Sequence, residues 1–159
     1  MRAGSGRPLN GVTFFRRRHL VDFAVWNTLH DGSIESINGS VSGDVHVRLD
    51  IDYLCEKLPT EANHVVVHLR GCRQFEYRPF QDEPVDNLRE IASADVEVLG
   101  AKEVGDSVSV CCVRGFLNLI YDRADVSLAE GREITQAELE AAAHRYWTKW
   151  AENARRARG

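Results

Sequence analysis

The run from Thr135 to Arg156, TQAELEAAAHRYWTKWAENARR, constrains the fold more than any other stretch, because it alone sustains a long helical period. Thr135 fits a helix N-cap, and Glu138 three residues later completes a T-x-x-E capping box. At 100° per residue, Leu139, Ala142, Ala143, Tyr146, Trp147, Trp150 and Ala154 fall within an arc of roughly 140°, the width of a core-facing stripe. Glu138, Arg145, Lys149, Glu152 and Arg156 fall outside it. The late arginines Arg155, Arg156 and Arg158 suit the negative end of the helix dipole. Three aromatic side chains of ~150–250 Å² each imply gross burial worth on the order of 10 kcal/mol before entropy is charged. Tyr146, Trp147 and Trp150 are therefore expected in the core. A ligand-stacking or partner-binding patch is the lesser reading.

Such a helix needs a surface to cover, and the residues between Ile34 and Ile134 supply one. Asp44–Tyr53, DVHVRLDIDY, alternates strictly: Val45, Val47, Leu49, Ile51 and Tyr53 against Asp44, His46, Arg48, Asp50 and Asp52. One buried and one wet face indicate an antiparallel sheet. Asn38-Gly39 and Ser42-Gly43 sit where a hairpin turn should precede this strand. A strand is also expected to begin near Ser33, after the turn chemistry of Asp31-Gly32. Further strands are expected over His64–Leu69, Gln74–Arg78, Asp95–Lys102, Ser107–Val113 and Gly115–Asp122, with Gly71 marking a bulge, bend or turn. Pro84 fits the first position of a short helix bearing Val85, Leu88, Ile91 and Ala92. Ala124–Leu128 reads as a lead-in to the final helix. Helix and strand templates fit Val21–Leu29 equally.

The predicted fold is α+β: a twisted antiparallel sheet of six to eight short strands, or a partial barrel, packed by one long C-terminal amphipathic helix. At 159 residues the chain suits one domain. Residues 1–20 carry five arginines and no acid, and are expected to be a disordered basic extension preceding a domain over 21–159. Residues 21–130 hold nine Lys/Arg against twenty Asp/Glu. An acidic body disfavours nucleic acid, which needs a basic face, and suits a basic protein partner. The Arg16-Arg17-Arg18 arm is the one stretch offering nucleic-acid contact. No apolar run approaches the ~18–20 residues that span a bilayer, so no membrane partner is expected. Four cysteines without C-x-x-C spacing fit a reduced, cytoplasmic protein.

Chemistry has four places to reside. His30-Asp31 could be a base and its orienting partner, or a turn. Together with Trp147 or Trp150, the pair could also line a small-molecule pocket between sheet and helix. His46, His64 and His68 all point away from the apolar sides of their strands; His64 and His68 are too far apart, at about 13 Å, to share a metal. Cys111-Cys112 should place one thiol inside and one outside. Asp44, Asp50 and Asp52, with Glu35 nearby, form an acidic wet face that could bind a cation, share a proton or dock a partner, or simply keep the sheet soluble and block edge pairing. Binding is expected to fall on His30, Asp31, Asp44, His46, Asp50 and Asp52, with no catalytic residue, cofactor or metal. There is no Walker A loop, G-x-G-x-x-G, G-x-S-x-G or H-E-x-x-H.

Leu29-His30-Asp31-Gly32-Ser33-Ile34, followed by the alternating strand and closing in Tyr146-Trp147-x-x-Trp150, resembles small bacterial proteins of unknown function that open with an "LHD" motif. Some similar proteins are grouped with immunity proteins of toxin systems. The likeness spans roughly residues 23–150 and implies a protein that blocks a toxin through an acidic surface without catalysis. It transfers no site residues.

Overall fold

Alternation of apolar and polar residues lays down the antiparallel strands on which the fold is built. The computed structural model describes residues 22–158, and the expectation for residues 1–20 lies outside them. A short helix α1 (Ala24–Thr28) leads into β1 (Ser33–Gly39) and β2 (Gly43–Asp50), followed by a one-turn helix α2 (Asp52–Cys55). Then come β3 (His64–Cys72), β4 (Gln74–Pro79), helix α3 (Leu88–Ala92), β5 (Val98–Val104), β6 (Ser107–Cys112), β7 (Gly115–Ile120), β8 (Arg123–Leu128), the two-residue β9 (Glu133–Ile134) and the long helix α4 (Gln136–Arg156). The architecture is α+β. Two sheets carry it, one of order β1-β2-β3-β8-β9 and one of order β4-β7-β6-β5, and they do not close into a barrel.

The chain passes between the two sheets twice, at one corner. β3 runs into β4 through Arg73, and β7 into β8 through Tyr121 and Asp122. At this corner the Arg73 N–H donates to the Ile120 carbonyl (2.7 Å) and the Asp122 N–H to the Arg70 carbonyl (2.9 Å), so pairing survives the change of sheet. Gly71 makes the bend. Its φ of +60° lies in the left-handed region, and a Cβ there would collide with the Asp122 carboxylate. At the open edges, Ser33 bridges Glu97, and the Asp31 and Ile34 N–H groups donate to the Val98 and Val96 carbonyls.

One hydrophobic cluster lies between the sheets. Val45, Val47 and Leu49 of β2, Val65, Val67 and Leu69 of β3, Phe75 and Tyr77 of β4, Val108 and Val110 of β6, and Leu117 and Leu119 of β7 all face inward. The period-2 pattern fixes this register, since a one-residue slip would turn every one of these side chains to water. Helix α1 inserts Trp26 and Leu29, both fully buried. Asn27 pins α1 to β5 by accepting from the Ala101 N–H (2.8 Å) and donating to its carbonyl (3.2 Å).

Several elements depart from the sequence reading. The alternating strand ends at Asp50 rather than Tyr53, because the Ile51 N–H turns to the Asn63 carbonyl (2.8 Å) and Asp52–Cys55 coil into α2. Val85 bridges Tyr77, so the short helix begins after an Asn87 cap rather than at Pro84. Ala124–Leu128 is strand, paired to β3. Helix α4 has the predicted capping box in full: the Glu138 N–H donates to Thr135 Oγ1 (3.1 Å) and the Thr135 N–H to Glu138 Oε2 (2.7 Å). Its aromatic stripe, however, is not core. Leu139 and Ala142 are buried, whereas Trp147 is 42% and Trp150 57% exposed. The helix packs on α1 and α2 through its first half and outruns the surface beneath it.

Candidate functional site

The wet face of the five-stranded sheet collects three of the predicted residues. Pairing of β2 with β3 sets His46 opposite His68 and Asp50 opposite His64. The Nδ1 atoms of His46 and His68 lie 2.7 Å apart, and His68 Nε2 lies 2.7 Å from Ser127 Oγ on β8. Two ring nitrogens at that distance share one proton, one donating and the other accepting. Burial, then the charges of His46 and Arg70, hold His68 below the ordinary 6.5 for imidazole. Asp44 accepts from the Gly71 N–H (3.1 Å) and from Arg70 (2.9 Å), and these two bonds hold its carboxyl below the usual carboxylate range. Arg70 also reaches Asp125, which Arg123 pairs from the other side, and Arg48 stands 3.5 Å from Asp50. Asp44, Asp50 and Asp125 of this face thus each stand beside an arginine, whereas Glu133, opposite Ser127, has no ion-pair partner among the described residues.

His30 and Asp31 meet at a second place, beside Tyr53 of α2, and the exposed Asp52 opens that helix one residue earlier. Asp31 adopts φ +67° in the turn before β1. Its Oδ1 lies 2.6 Å from His30 Nδ1, a close contact without hydrogen-bond alignment. The His30 carbonyl accepts the Tyr53 hydroxyl at 2.6 Å. The Tyr53 ring stacks against Tyr146 (4.5 Å) and Trp147 (5.7 Å), and Trp147 meets Trp150 at 6.0 Å. Burial, with Asp31 and Tyr146 adding to it, pushes the Tyr53 phenol up to about 12, so it works as a neutral donor. These rings pack on one another. The two cavities described lie elsewhere and include neither His30 nor Asp31.

One of those cavities, about 390 Å³, is lined by Tyr77, Pro79, Phe80, Asp82, Val113 and Arg114. Phe80, 61% exposed, meets Phe116 edge to face with ring centres 5.5 Å apart, and exposed Val113 adjoins them. The Phe80 N–H donates to the Arg114 carbonyl (3.0 Å), locking the loop against the β6–β7 turn. The same loop carries Asp82, Glu83 and Asp86, none of which has an ion-pair partner among the described residues. An apolar patch with an acidic rim results. The sequence reading missed Phe80 and Phe116; an aromatic between two prolines beside D-E, and a phenylalanine on the polar side of an alternating strand, were the available signals.

The second cavity, an open cleft of about 700 Å³, runs between Leu58–Ala62 and Ala129–Glu130. Among the described residues, no three His, Cys, Asp or Glu side chains converge as a metal set. Cys112 is buried and Cys111 half-buried, as neighbours on a strand should be. Burial pushes the Cys55 thiol up to about 11 and Cys112 to about 12, which keeps both protonated and unreactive. No helix among the described residues is long and apolar enough to cross a membrane. No family model, curated protein or solved structure matches the chain.

Proposed function

We propose that this protein acts by binding a basic protein partner, in the manner of an immunity protein, and not by catalysis. The carrying observation is the Phe80–Phe116–Val113 patch with its unpaired acidic rim. Exposed aromatics in contact, next to a cavity that takes a side chain, have the composition of an interface anchor. The rim is not local decoration. From Asp82 to Asp106 the chain carries Asp82, Glu83, Asp86, Glu90, Asp95, Glu97, Glu103 and Asp106 against only Arg89 and Lys102. Such a field speeds encounter with a basic surface and rejects an acidic one. These features support a docking surface on this loop and its neighbours in preference to the face holding Asp44, His46 and Asp50, where three acids stand beside arginines.

The test is capture from host lysate with the full chain, the Phe80→Asp variant and the Asp82→Lys/Glu83→Lys variant as parallel baits. A stoichiometric partner held by the native chain, released by salt and lost by both variants, is the expected result. A complex indifferent to salt, or one that survives both variants, ends this reading.

A further inference from the structure

Helix α4 is 21 residues long, or about 30 Å at 1.5 Å per residue. Its buried residues, Leu139 and Ala142, belong to its first two turns, where it rests on α1 and α2. Past Tyr146 none of the described side chains is buried, and only Ala151 and Ala154 among them are half-buried, so the second half projects. Trp147, Trp150, Ala154 and, at the C-cap, Ala157 recur there at steps of three, four and three, the spacing of a heptad seam. Scattered exposed apolar residues are ordinary; two touching tryptophans on a projecting seam are not.

We propose that this half of α4 pairs antiparallel with the same half of a second copy of the chain about a two-fold axis. Setting Trp150 opposite Ala154 of the other copy sets Trp147 opposite its Ala157, and the symmetry makes each contact twice. Large side chains then meet small ones along the whole seam, which is how facing helices interdigitate. Charge supports the same arrangement. The projecting half carries Lys149, Arg155, Arg156 and Arg158 against Glu152. In the antiparallel register this end reaches the other copy beside Tyr146 and Tyr53, where Asp31, Asp52 and Glu56 stand exposed. Nucleic acid would meet the same arginines but would also face the acidic body, so the protein's own acidic surface is the better complement. This surface is separate from the Phe80 patch, and neither proposal depends on the other.

Sedimentation equilibrium of the full chain at about 0.1 mM in low salt, a concentration that reveals dimers with Kd below about 0.1 mM, is the decisive measurement. The native chain should be dimeric. Trp150→Glu should be monomeric with an unchanged circular dichroism spectrum, and Arg155→Glu/Arg156→Glu should weaken dimerisation about tenfold or more. Adding Asp52→Arg/Glu56→Arg to that double variant should restore it, which settles the matter even if Trp150→Glu misfolds. A monomeric native chain overturns the proposal, and so does a folded Trp150→Glu dimer. Binding of phosphatidylserine vesicles or single-stranded DNA by a monomeric chain would also overturn it, assigning the edge to a phosphate surface.

Discussion

His46 and His68 face each other across β2 and β3 with their Nδ1 atoms 2.7 Å apart, and the second nitrogen of His68 is taken by Ser127, 5% exposed. Adding a proton to both inner nitrogens would set two N–H donors against each other, so this pair is built for neutral or singly charged states. It also joins three strands of the larger sheet side by side, tying the protonation of a surface group to the integrity of β2, β3 and β8.

Stability should therefore fall as the solution is acidified through the histidine range. His68 has a folded pKa below its unfolded value of 6.5, so the unfolded chain binds more protons in the interval between them. Its contribution is complete above 6.5 and is lost as pH drops toward the folded pKa. The groups facing it are mixed: His46 and Arg70 oppose its charging, while Asp125 and Glu133 favour it. Melting temperatures measured from about pH 7.5 to about 5.5 should decline in the native chain and decline less in His68→Gln. Equal slopes in the two would show that the pair carries no such linkage.

Trp26 is the largest fully buried side chain, and its indole is tied into a relay. Its Nε1–H donates to the Tyr121 hydroxyl (3.2 Å), which donates to the Asp22 carbonyl (2.6 Å). Trp26→Ala should cost about 3–5 kcal/mol, a large share of a domain's total stability. Tyr121→Phe preserves nearly all the volume yet leaves the indole N–H without its acceptor, and should cost about 1–3 kcal/mol. Urea denaturation of both variants checks the order. A neutral Tyr121→Phe would mean the relay is dispensable and packing alone matters.

The strands that were legible in the sequence are those whose alternation runs against a single core, such as Val45–Val47–Leu49. Asp52 and Tyr53 continue the same alternation in letters but leave the sheet, because the course of the chain beyond Asp50 is set by distant partners: Asn63 for the backbone, Tyr146 and Trp147 for the ring. The stripe of α4 predicted the helix, its cap and its inner face. It carried no information on how far the body extends beneath that face, and so misplaced Trp147 and Trp150. The patch of Phe80 and Phe116 was invisible for a related reason: the contact exists only once Arg78 of β4 lies beside Phe116 of β7. Val21–Leu29 was undecidable locally, since five helical residues hold their shape through Asn27 and Ala101 rather than through propensity.

Gly71 tests the corner between the sheets. A left-handed φ costs an L-residue roughly 1–2 kcal/mol, and the added Cβ would press on the Asp122 carboxylate that pairs with Arg73. Gly71→Ala should therefore destabilise by more than that strain alone. Asp122→Ala frees the space, so in a double-mutant cycle the pair should cost less than the sum of the single changes. Strict additivity would show that the carboxylate moves aside and only backbone strain remains.

Helix α4 supplies a contrast between two residues of one stripe. Leu139 is completely buried, and Leu139→Ala should cost about 2–5 kcal/mol through lost burial and the cavity left behind. Trp150 has far more apolar surface, and any reading of the stripe as core would make it the costlier loss. At 57% exposure it has little to lose within one copy, and Trp150→Ala should stay within about 0.5 kcal/mol when unfolding is measured at sub-micromolar concentration, where a weak dimer has dissociated. At concentrations above the dimer Kd the same variant should fall behind the native chain by an amount that grows with concentration, following mass action. A large loss at every concentration would place Trp150 in the core of a single chain; a loss that grows with concentration would separate what this residue does for folding from what it does for association.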